Sequence, residues 1–384
     1  MLLDQLLEKY IKGGFIAGGI AATLKKGEEP HLAIRGKAAI DDALHLKRDA
    51  IFRIYSMTKP VTSLAAMMCF EEGAFDLDDP VSSFLPGFQN TRIFHETEGA
   101  VDSPVEMTIR HVFTHTAGIT LPAFSDDPLV PSYLANGLDG MRSTGDLKDV
   151  VDRLGSMPVL FEPGSRWKYS MATDILGRLV EVWSGQDFET FLKNRLFEPL
   201  GMKDTAFQVP EGAINRLTTC YAVDETGIRD IQDSASRSSF LQRPQFPSGS
   251  GGLVSTTDDF LKFMTLLMQK GVYGGKRFLK EETFDLMIRN HLHGDMEELG
   301  AGEFNFMRWS GIGFGLGFYT VTDPEKAGFP GKAGEYGWTG AAGTIFFINP
   351  EEEIAGLLMV QHMPGNIYPL RAEFRRTVYQ HYQV

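Results

Sequence analysis

Residues 55–60 read Tyr-Ser-Met-Thr-Lys-Pro, and they separate a short apolar run, 51–54, from a segment with apolar residues at helical spacing, 61–70. A serine and a lysine three residues apart at the start of a helix share one face. The Lys59 amine can therefore lie against the Ser56 hydroxyl and take its proton. This pattern predicts a serine acyl-transfer enzyme that uses lysine as the base. The alternative is that Ser56 only caps the helix and Lys59 is a solvated first-turn residue.

A second Ser-x-x-Lys pair, Ser165 and Lys168, shows that the spacing alone is not specific. Ser165 follows Glu-Pro-Gly at 162–164, which indicates a turn, and the residues after it read as extended chain. In an extended chain, residues i and i+3 point to opposite faces, so this serine and lysine do not act together. The helical context of residues 56–59 therefore favours the first pair as the reactive one.

The composition is that of an ordinary soluble globular protein: 384 residues, 43% hydrophobic and 23% charged, with a net charge of −13. An acidic surface argues against nucleic acid and anionic membranes as partners, so a small molecule is the expected substrate. The two cysteines, Cys69 and Cys220, provide no disulfide framework. No apolar run reaches the roughly 18 residues of a membrane span, and the N-terminus lacks the features of a signal peptide, so a cytoplasmic location is expected. The oligomeric state is left open.

The two ends of the chain carry strand-like patterns. Residues 15–24 and 31–39 near the N-terminus, and 343–348 and 354–360 near the C-terminus, read as strands, and 368–382 reads as a closing helix. Both ends should therefore build one antiparallel sheet with helices covering it, which predicts an α+β fold.

The middle of the chain is richer in helical patterns, so the sheet domain is predicted to be discontinuous, at 1–76 and 311–384. A mostly α-helical domain is predicted between them, at 77–310. Its predicted helices are 146–154, 172–184, 188–196 and 257–270. Its predicted long loops are 84–104 and 224–250.

A lysine-activated serine needs a second proton carrier, and it needs backbone N–H donors for the oxyanion. Tyr169 precedes the predicted helix 172–184, where it can point into a cleft, and a nearby ammonium favours its phenolate form. The alternatives are that Tyr169 is packed at a domain seam, or that Tyr133, which has a loop-like context, takes the role. The glycine-rich residues 337–343 precede a predicted strand. Their backbone either supplies one N–H donor for the oxyanion or forms a simple turn into the strand.

Ser-x-x-Lys at a helix start, Tyr-Ser-x before a second helix and Trp-Thr-Gly before a late strand occur in this order. The combination resembles the serine β-lactamase and penicillin-binding protein superfamily, and within it the family VIII carboxylesterases, which share the class C β-lactamase fold. The segments 115–119, 196–202 and 248–256 are also similar to motifs of this superfamily. The resemblance extends over residues 15–360, nearly the whole chain.

The resemblance implies a role for each matching residue. The nucleophile falls on Ser56, the lysine on Lys59 and the tyrosine base on Tyr169, in a cleft between the two predicted domains. The oxyanion donors would be the backbone N–H groups of Ser56 and Ala341. The substrate-binding positions would be Met171, Trp338, Thr339 and Gly340.

Two departures from the family pattern favour an ester over a β-lactam as substrate. Trp338 stands where β-lactamases carry the lysine of Lys-Thr-Gly, and Met171 stands where the Tyr-x-Asn motif has its asparagine. A β-lactam loses an ion pair and a hydrogen bond, each worth about 1–3 kcal/mol, whereas an uncharged ester loses neither. We therefore expect hydrolysis of short-chain carboxylic esters, with weak β-lactam hydrolysis beside it.

Other functions remain as alternatives. Within the same fold they are β-lactamase, D-amino-acid peptidase and an acyltransferase that passes the acyl group to an alcohol. A non-catalytic penicillin-binding sensor or scaffold is the alternative from another class. A metal site is not predicted, because His111 and His115 are spaced as ligands on a helix but no third ligand accompanies them. No cofactor is expected.

Overall fold

The computed structural model describes residues 2–40, 45–302 and 308–384. The strands, in chain order, are β1 (Gly18–Lys25), β2 (His31–Gly36), β3 (Ile51–Arg53), β4 (Arg92–His95), β5 (Gly99–Asp102), β6 (Cys220–Asp224), β7 (Gly227–Asp233), β8 (Val254–Thr256), β9 (Val272–Tyr273), β10 (Lys276–Arg277), β11 (Ile312–Phe314), β12 (Tyr319–Val321), β13 (Tyr336–Thr339), β14 (Ile345–Asn349), β15 (Ile354–Val360) and β16 (His362–Met363).

The α-helices are α1 (Leu2–Lys12), α2 (Thr58–Glu71), α3 (Ile109–Phe113), α4 (Val130–Ala135), α5 (Leu147–Ser156), α6 (Ala172–Ser184), α7 (Phe188–Leu192), α8 (Glu198–Leu200), α9 (Thr257–Met268), α10 (Glu281–Ile288) and α11 (Leu370–Tyr382). None of the helices in the described ranges is long and apolar enough to cross a membrane.

A seven-stranded sheet joins the two ends of the chain. Its strand order is β11-β12-β13-β14-β15-β1-β2, and every neighbouring pair is antiparallel. The N-terminal strand β1 lies beside β15, with Gly19 opposite Val360 and Lys25 opposite Ile354. The predicted α+β fold, with one antiparallel sheet built from both termini, is confirmed.

Helices cover both faces of this sheet, which explains why β15 is apolar without interruption. Side chains alternate between the faces of a strand. Leu357 and Met359 face the larger core, which contains α2 and α9, whereas Leu358 and Val360 face a smaller core under α1 and α11. All four side chains are buried, so each stabilises the fold by about 1.5–3 kcal/mol relative to an exposed position.

The middle of the chain holds the remaining helices and several small sheets. Helix α6 has the predicted bounds, whereas α7 ends at Leu192 and continues as a π-helical segment, Lys193–Phe197. The prediction of unpatterned loops at 84–104 and 224–250 was wrong, because β4, β5 and β7 lie there. These short strands are largely exposed, and their polar sequences hide the strand pattern.

The glycine-rich residues 337–343 also differ from the prediction, since Tyr336–Thr339 is itself strand β13 and only residues 340–343 form the turn into β14. The domain boundaries 1–76, 77–310 and 311–384 stay a prediction, and residues 1, 41–44 and 303–307 within them lie outside the described part of the chain.

One buried ion pair ties the closing helix to the sheet. Arg375 on α11 pairs with Glu335, which immediately precedes β13, and both side chains are almost fully buried. Arg375 also donates to the Tyr319 hydroxyl over 2.7 Å, and the Tyr379 hydroxyl donates to Glu335. A buried charge is tolerated when it is paired and hydrogen-bonded, as here, and it becomes costly when one partner is removed.

We expect Glu335→Gln to lower the free energy of unfolding by about 3–5 kcal/mol, because it leaves the Arg375 guanidinium buried without a counter-charge. Chemical denaturation followed by circular dichroism measures the loss. The matched control is Glu373→Gln on α11, which breaks the ion pair of Glu373 with the exposed Lys9 of α1 and should cost about 1 kcal/mol or less. Equal losses in the two variants would contradict this assignment.

Candidate active site

Ser56 lies at the junction between a strand and a helix. Strand β3 pairs with β8, then Tyr55 turns the chain with a φ of 43°, and Ser56 lies in a single 3₁₀ turn, Tyr55–Met57, that runs into α2. A positive φ is strained for a residue with a side chain, and such strain concentrates at functional positions. The turn leaves Ser56 half-buried at the start of an otherwise buried helix.

Tyr169 meets Ser56 directly. Its hydroxyl donates to Ser56 Oγ over 2.6 Å, and its side chain is almost fully buried. The residues before α6 run as extended chain, held where the Lys168 N–H donates to the His115 carbonyl over 2.9 Å. Two hydroxyls at this distance can exchange a proton without moving.

Lys59 lies beneath the tyrosine rather than against the serine. Its ammonium is 4.5 Å from the centre of the Tyr169 ring and donates to the carbonyl of Ser250 over 2.8 Å. Within the described residues no hydrogen bond joins Lys59 to Ser56, so the direct lysine–serine contact expected from the spacing is not present in this conformation. The geometry instead places Tyr169 between the serine and the lysine.

A close backbone approach brings the turn after β13 to the junction that carries Ser56. A Cβ atom added at Gly340 would lie 2.5 Å from the Ile54 carbonyl oxygen and would also overlap Thr344 Oγ1. Only glycine permits this contact, which lies next to both Ser56 and Ala341. Neither the Ser56 N–H nor the Ala341 N–H donates to another group of the described chain, so both are available to a developing oxyanion.

Arg371 is hydrogen-bonded to this turn. Its guanidinium, on α11, donates to the carbonyls of Gly340 and Gly343, the latter over 3.4 Å. Burial lowers the pKa of Arg371 to about 10, so the group remains charged at neutral pH. The two carbonyls are fixed by a charge-assisted donor, and the orientation of the intervening Ala341 N–H follows from theirs.

The predicted substrate-binding positions form walls around Tyr169 and the turn. Trp338 packs against Tyr169, Trp309 and Phe314, with ring centres 5.8, 6.3 and 5.3 Å away. The side chains of Trp338, Thr339 and Met171 are buried, and Met171 directly precedes α6. The substrate contacts of these four positions, Gly340 included, stay a prediction.

A second apolar wall was missed from the sequence. Tyr55, Met141 and Leu241 are half-buried hydrophobic residues of one small cluster that also contains Phe240, whose ring meets the Tyr55 ring edge-on at 6.2 Å. Tyr55 adjoins the nucleophile in sequence. Met141 and Leu241 lie in short 3₁₀ turns, Gly140–Arg142 and Ser239–Leu241, so no periodicity marks them. For Leu241 alone, the length of the 224–250 segment was an available signal.

His115 is a close neighbour of the site that carries no charge there. It is buried with its ring 5.2 Å from that of Tyr169, and its Nδ1 shares a hydrogen bond of 3.0 Å with the Ser170 hydroxyl. Burial, together with the positive charge of Lys59, holds the pKa of His115 well below its ordinary value. His111 instead accepts the Thr108 N–H in the cap of α3. The described residues contain no cluster of three or more metal-ligating side chains.

The second Ser-x-x-Lys pair has structural roles. The Ser165 hydroxyl donates to the Glu162 carbonyl of its own turn over 2.6 Å. Lys168 points elsewhere, donating to Ser125 over 2.9 Å and lying 3.3 Å from the Asp127 carboxylate. The serine and the lysine of this pair do not meet, as the extended conformation predicted.

Comparison with known proteins identifies the class. The model of the Beta-lactamase family matches residues 3–379, so the chain belongs to that family. This confirms the predicted membership of the serine β-lactamase and penicillin-binding protein superfamily.

Individual relatives point to its esterase branch. The chain is 28% identical to Esterase EstB of Burkholderia gladioli over 98% of its own length and 94% of the relative, and 31% identical to Protein Rv1367c of Mycobacterium tuberculosis over 93% and 89%. Among solved structures it resembles "EstCE1, a hydrolase with promiscuous acyltransferase activity", with a TM-score of 0.84 and 26% identity, over 98% of this chain and 97% of that one. These likenesses support a family VIII esterase.

We expect Gly340→Ala to lower kcat on an activated ester, because the added methyl group pushes the turn away from Ile54 and displaces the Ala341 N–H. The expected loss is about 10²–10³-fold, which is the usual effect of losing one oxyanion donor. Steady-state kinetics measure the change. The control is Gly87→Ala, at an exposed turn where the nearest atom to the new methyl group would be 3.8 Å away. Unchanged kcat in the folded Gly340→Ala protein would rule out this oxyanion site.

Proposed function

We propose that this protein hydrolyses short-chain carboxylic esters through an acyl-enzyme formed on Ser56. The observation that carries the proposal is the hydrogen bond of 2.6 Å between Tyr169 and Ser56, with the Lys59 ammonium 4.5 Å from the same tyrosine ring. This contact lets the tyrosine oxygen exchange a proton with the serine hydroxyl, with a positive charge close by.

In the proposed acylation step, Ser56 Oγ attacks the ester carbonyl carbon while its proton passes to Tyr169. The carbonyl oxygen becomes the oxyanion and is bound by the N–H groups of Ser56 and Ala341. When the C–O bond of the ester breaks, Tyr169 returns the proton to the leaving alcohol. Water then attacks the acyl-enzyme by the same route in reverse, releasing the carboxylic acid and restoring Ser56.

The walls around Ser56 support an uncharged substrate. Trp338 packs against Tyr169, and Tyr55 and Met141 belong to one apolar cluster. A carboxylate, such as that of a β-lactam, would meet indole and phenyl rings at the position where β-lactamases present a lysine, without an ion pair to offset its desolvation. Esters should therefore react faster than β-lactams, which leaves room for weak β-lactam hydrolysis.

The test compares wild type, Ser56→Ala and Ser165→Ala on nitrophenyl esters of increasing chain length and on a chromogenic cephalosporin. We expect ester turnover to fall by at least about 10³-fold in Ser56→Ala. It should be unchanged in Ser165→Ala, whose hydroxyl serves only its own turn. Turnover that survives in Ser56→Ala would refute the nucleophile, and faster turnover of the cephalosporin than of short esters would reverse the order of substrates.

Acyl transfer to an alcohol is a second candidate, which the likeness to EstCE1 supports because that hydrolase is described as having promiscuous acyltransferase activity. The apolar cluster of Tyr55, Met141, Phe240 and Leu241 beside the nucleophile also favours an organic alcohol over water as the attacking group. The chemistry is unchanged: the alcohol oxygen attacks the acyl-enzyme, and its proton leaves through Tyr169.

With a vinyl ester as acyl donor, we expect added 1-butanol to yield butyl ester in a ratio to free acid that exceeds the molar ratio of butanol to water. Gas chromatography measures both products. Replacing the half-buried Met141 by Gln should lower this ratio while total consumption of the vinyl ester continues, because the wall becomes polar. Free acid as the sole product at every butanol concentration would exclude acyl transfer.

A further inference from the structure

The loop that follows Pro247 packs between helices α2 and α6. Thr62 on α2 donates to the Gly249 carbonyl over 2.8 Å, and Leu253 N–H donates to Thr58 over 3.2 Å. A Cβ at Gly249 would lie 3.0 Å from the Thr173 carbonyl of α6, so the loop touches both helices. Ser250 in this loop supplies the carbonyl that accepts from Lys59. The position of the Lys59 ammonium therefore depends on the position of this loop.

Asp174 fixes the loop from the side of α6. One oxygen of its fully buried carboxylate accepts the Ser248 hydroxyl over 2.7 Å and the Ser250 N–H over 3.0 Å. The other oxygen has no hydrogen-bond partner among the residues that the structure describes. Burial raises the pKa of Asp174, while the donors from Ser248 and Ser250 and the positive charge of Lys59 oppose that rise.

We propose that Asp174 is a positioning residue for the serine–tyrosine–lysine relay: it holds the Ser250 carbonyl that orients Lys59 and supplies the buried negative charge that compensates the ammonium. The inference rests on the proposed function, because it assigns Asp174 a role in the reactivity of Ser56. Asp174 touches neither Ser56 nor Tyr169, so it acts through Lys59 and the loop.

The charged and titratable groups around Lys59 are few. Tyr169 lies above it on the segment before α6, His115 approaches from the segment after α3, and Asp174 lies on α6 itself. The loop residues 248–252 carry no charge, and α2 contributes only Lys59 at this level. The pKa of His115 is held well below its ordinary value, so Asp174 is the acidic side chain among these described groups whose charge acts on the ammonium.

Removing the charge of Asp174 should shift the pH dependence of the reaction in one direction. Removing a negative charge near the relay disfavours its protonated state, which is the state that cannot accept the Ser56 proton. The acid limb of kcat/KM should therefore move to lower pH when the charge of Asp174 is removed. A purely structural role would lower the amount or stability of folded enzyme and leave this limb in place.

The experiment compares Asp174→Asn, Asp174→Ala and the control Asp259→Asn. The amide retains an oxygen for the two donors but not the charge, whereas alanine loses both. Asp259 is a buried carboxylate of the same kind, which accepts the Asp204 N–H over 2.7 Å and the Thr205 hydroxyl over 3.2 Å, away from the relay. Two readouts are taken across pH: nitrophenyl ester kinetics, and the rate at which a fluorophosphonate labels Ser56 by displacement of fluoride.

We expect the acid limb to shift down by about one pH unit in Asp174→Asn, and kcat to fall by about 10²-fold in Asp174→Ala, as positioning errors usually cost. Asp259→Asn should keep the wild-type limb in both readouts. An unshifted limb in folded Asp174→Asn, with wild-type ester turnover present, overturns the inference and leaves the esterase intact. If wild type hydrolyses no ester but is labelled at Ser56, the esterase proposal fails and the labelling limb still decides the role of Asp174. No labelling at all overturns both.

Discussion

The contact between Gly340 and the Ile54 carbonyl is the constraint on which the site depends. It brings a turn of the central sheet against the junction that carries Ser56, two parts of the chain nearly 300 residues apart. Other bonds secure the same contact: Gln361, at the end of β15, accepts the Arg53 N–H over 3.2 Å and donates to the Arg53 carbonyl over 3.0 Å. Because β3 is thereby bonded to the sheet, the backbone at Ser56 and the turn at Ala341 are held in fixed positions relative to each other, as the proposed oxyanion site requires.

Lys59, Asp174 and Arg371 are buried polar groups of the site, and each makes hydrogen bonds to a different part of the chain. Lys59 is held by the loop at Ser250, that loop by Asp174, and the turn at Gly340 by Arg371. In a region of low dielectric constant, every one of these bonds is stronger than in water and costly to break. The arrangement therefore resists small displacements, and the distance between Tyr169 and Ser56 is set by packing and polar bonds together.

The sequence was sufficient for the parts of the structure that depend on local pattern. The continuous apolar run of β15 and the amphipathic helix α6 were predicted with the bounds that the structure has. Ser56, Lys59 and Tyr169 were singled out by motif order, and the structure brings them together. Strand β13 was missed because its glycine and threonine resemble a turn, and β7 was missed because its residues are largely exposed. Met141, Leu241 and Asp174 owe their relevance to tertiary contacts alone, which no periodicity records.

The two Ser-x-x-Lys lysines differ in what surrounds them, and this explains why the motif is a weak signal by itself. Lys168 is partly exposed and lies 3.3 Å from Asp127, so solvent and that carboxylate stabilise its charge. Lys59 is buried, and its charge is offset by the Ser250 carbonyl, the face of the Tyr169 ring and a carboxylate one loop away. Buried charges are only weakly screened by solvent, so they interact strongly with one another. The surroundings of Lys59 are therefore set by residues outside the motif, so the spacing of the serine and the lysine does not by itself fix the environment of the amine.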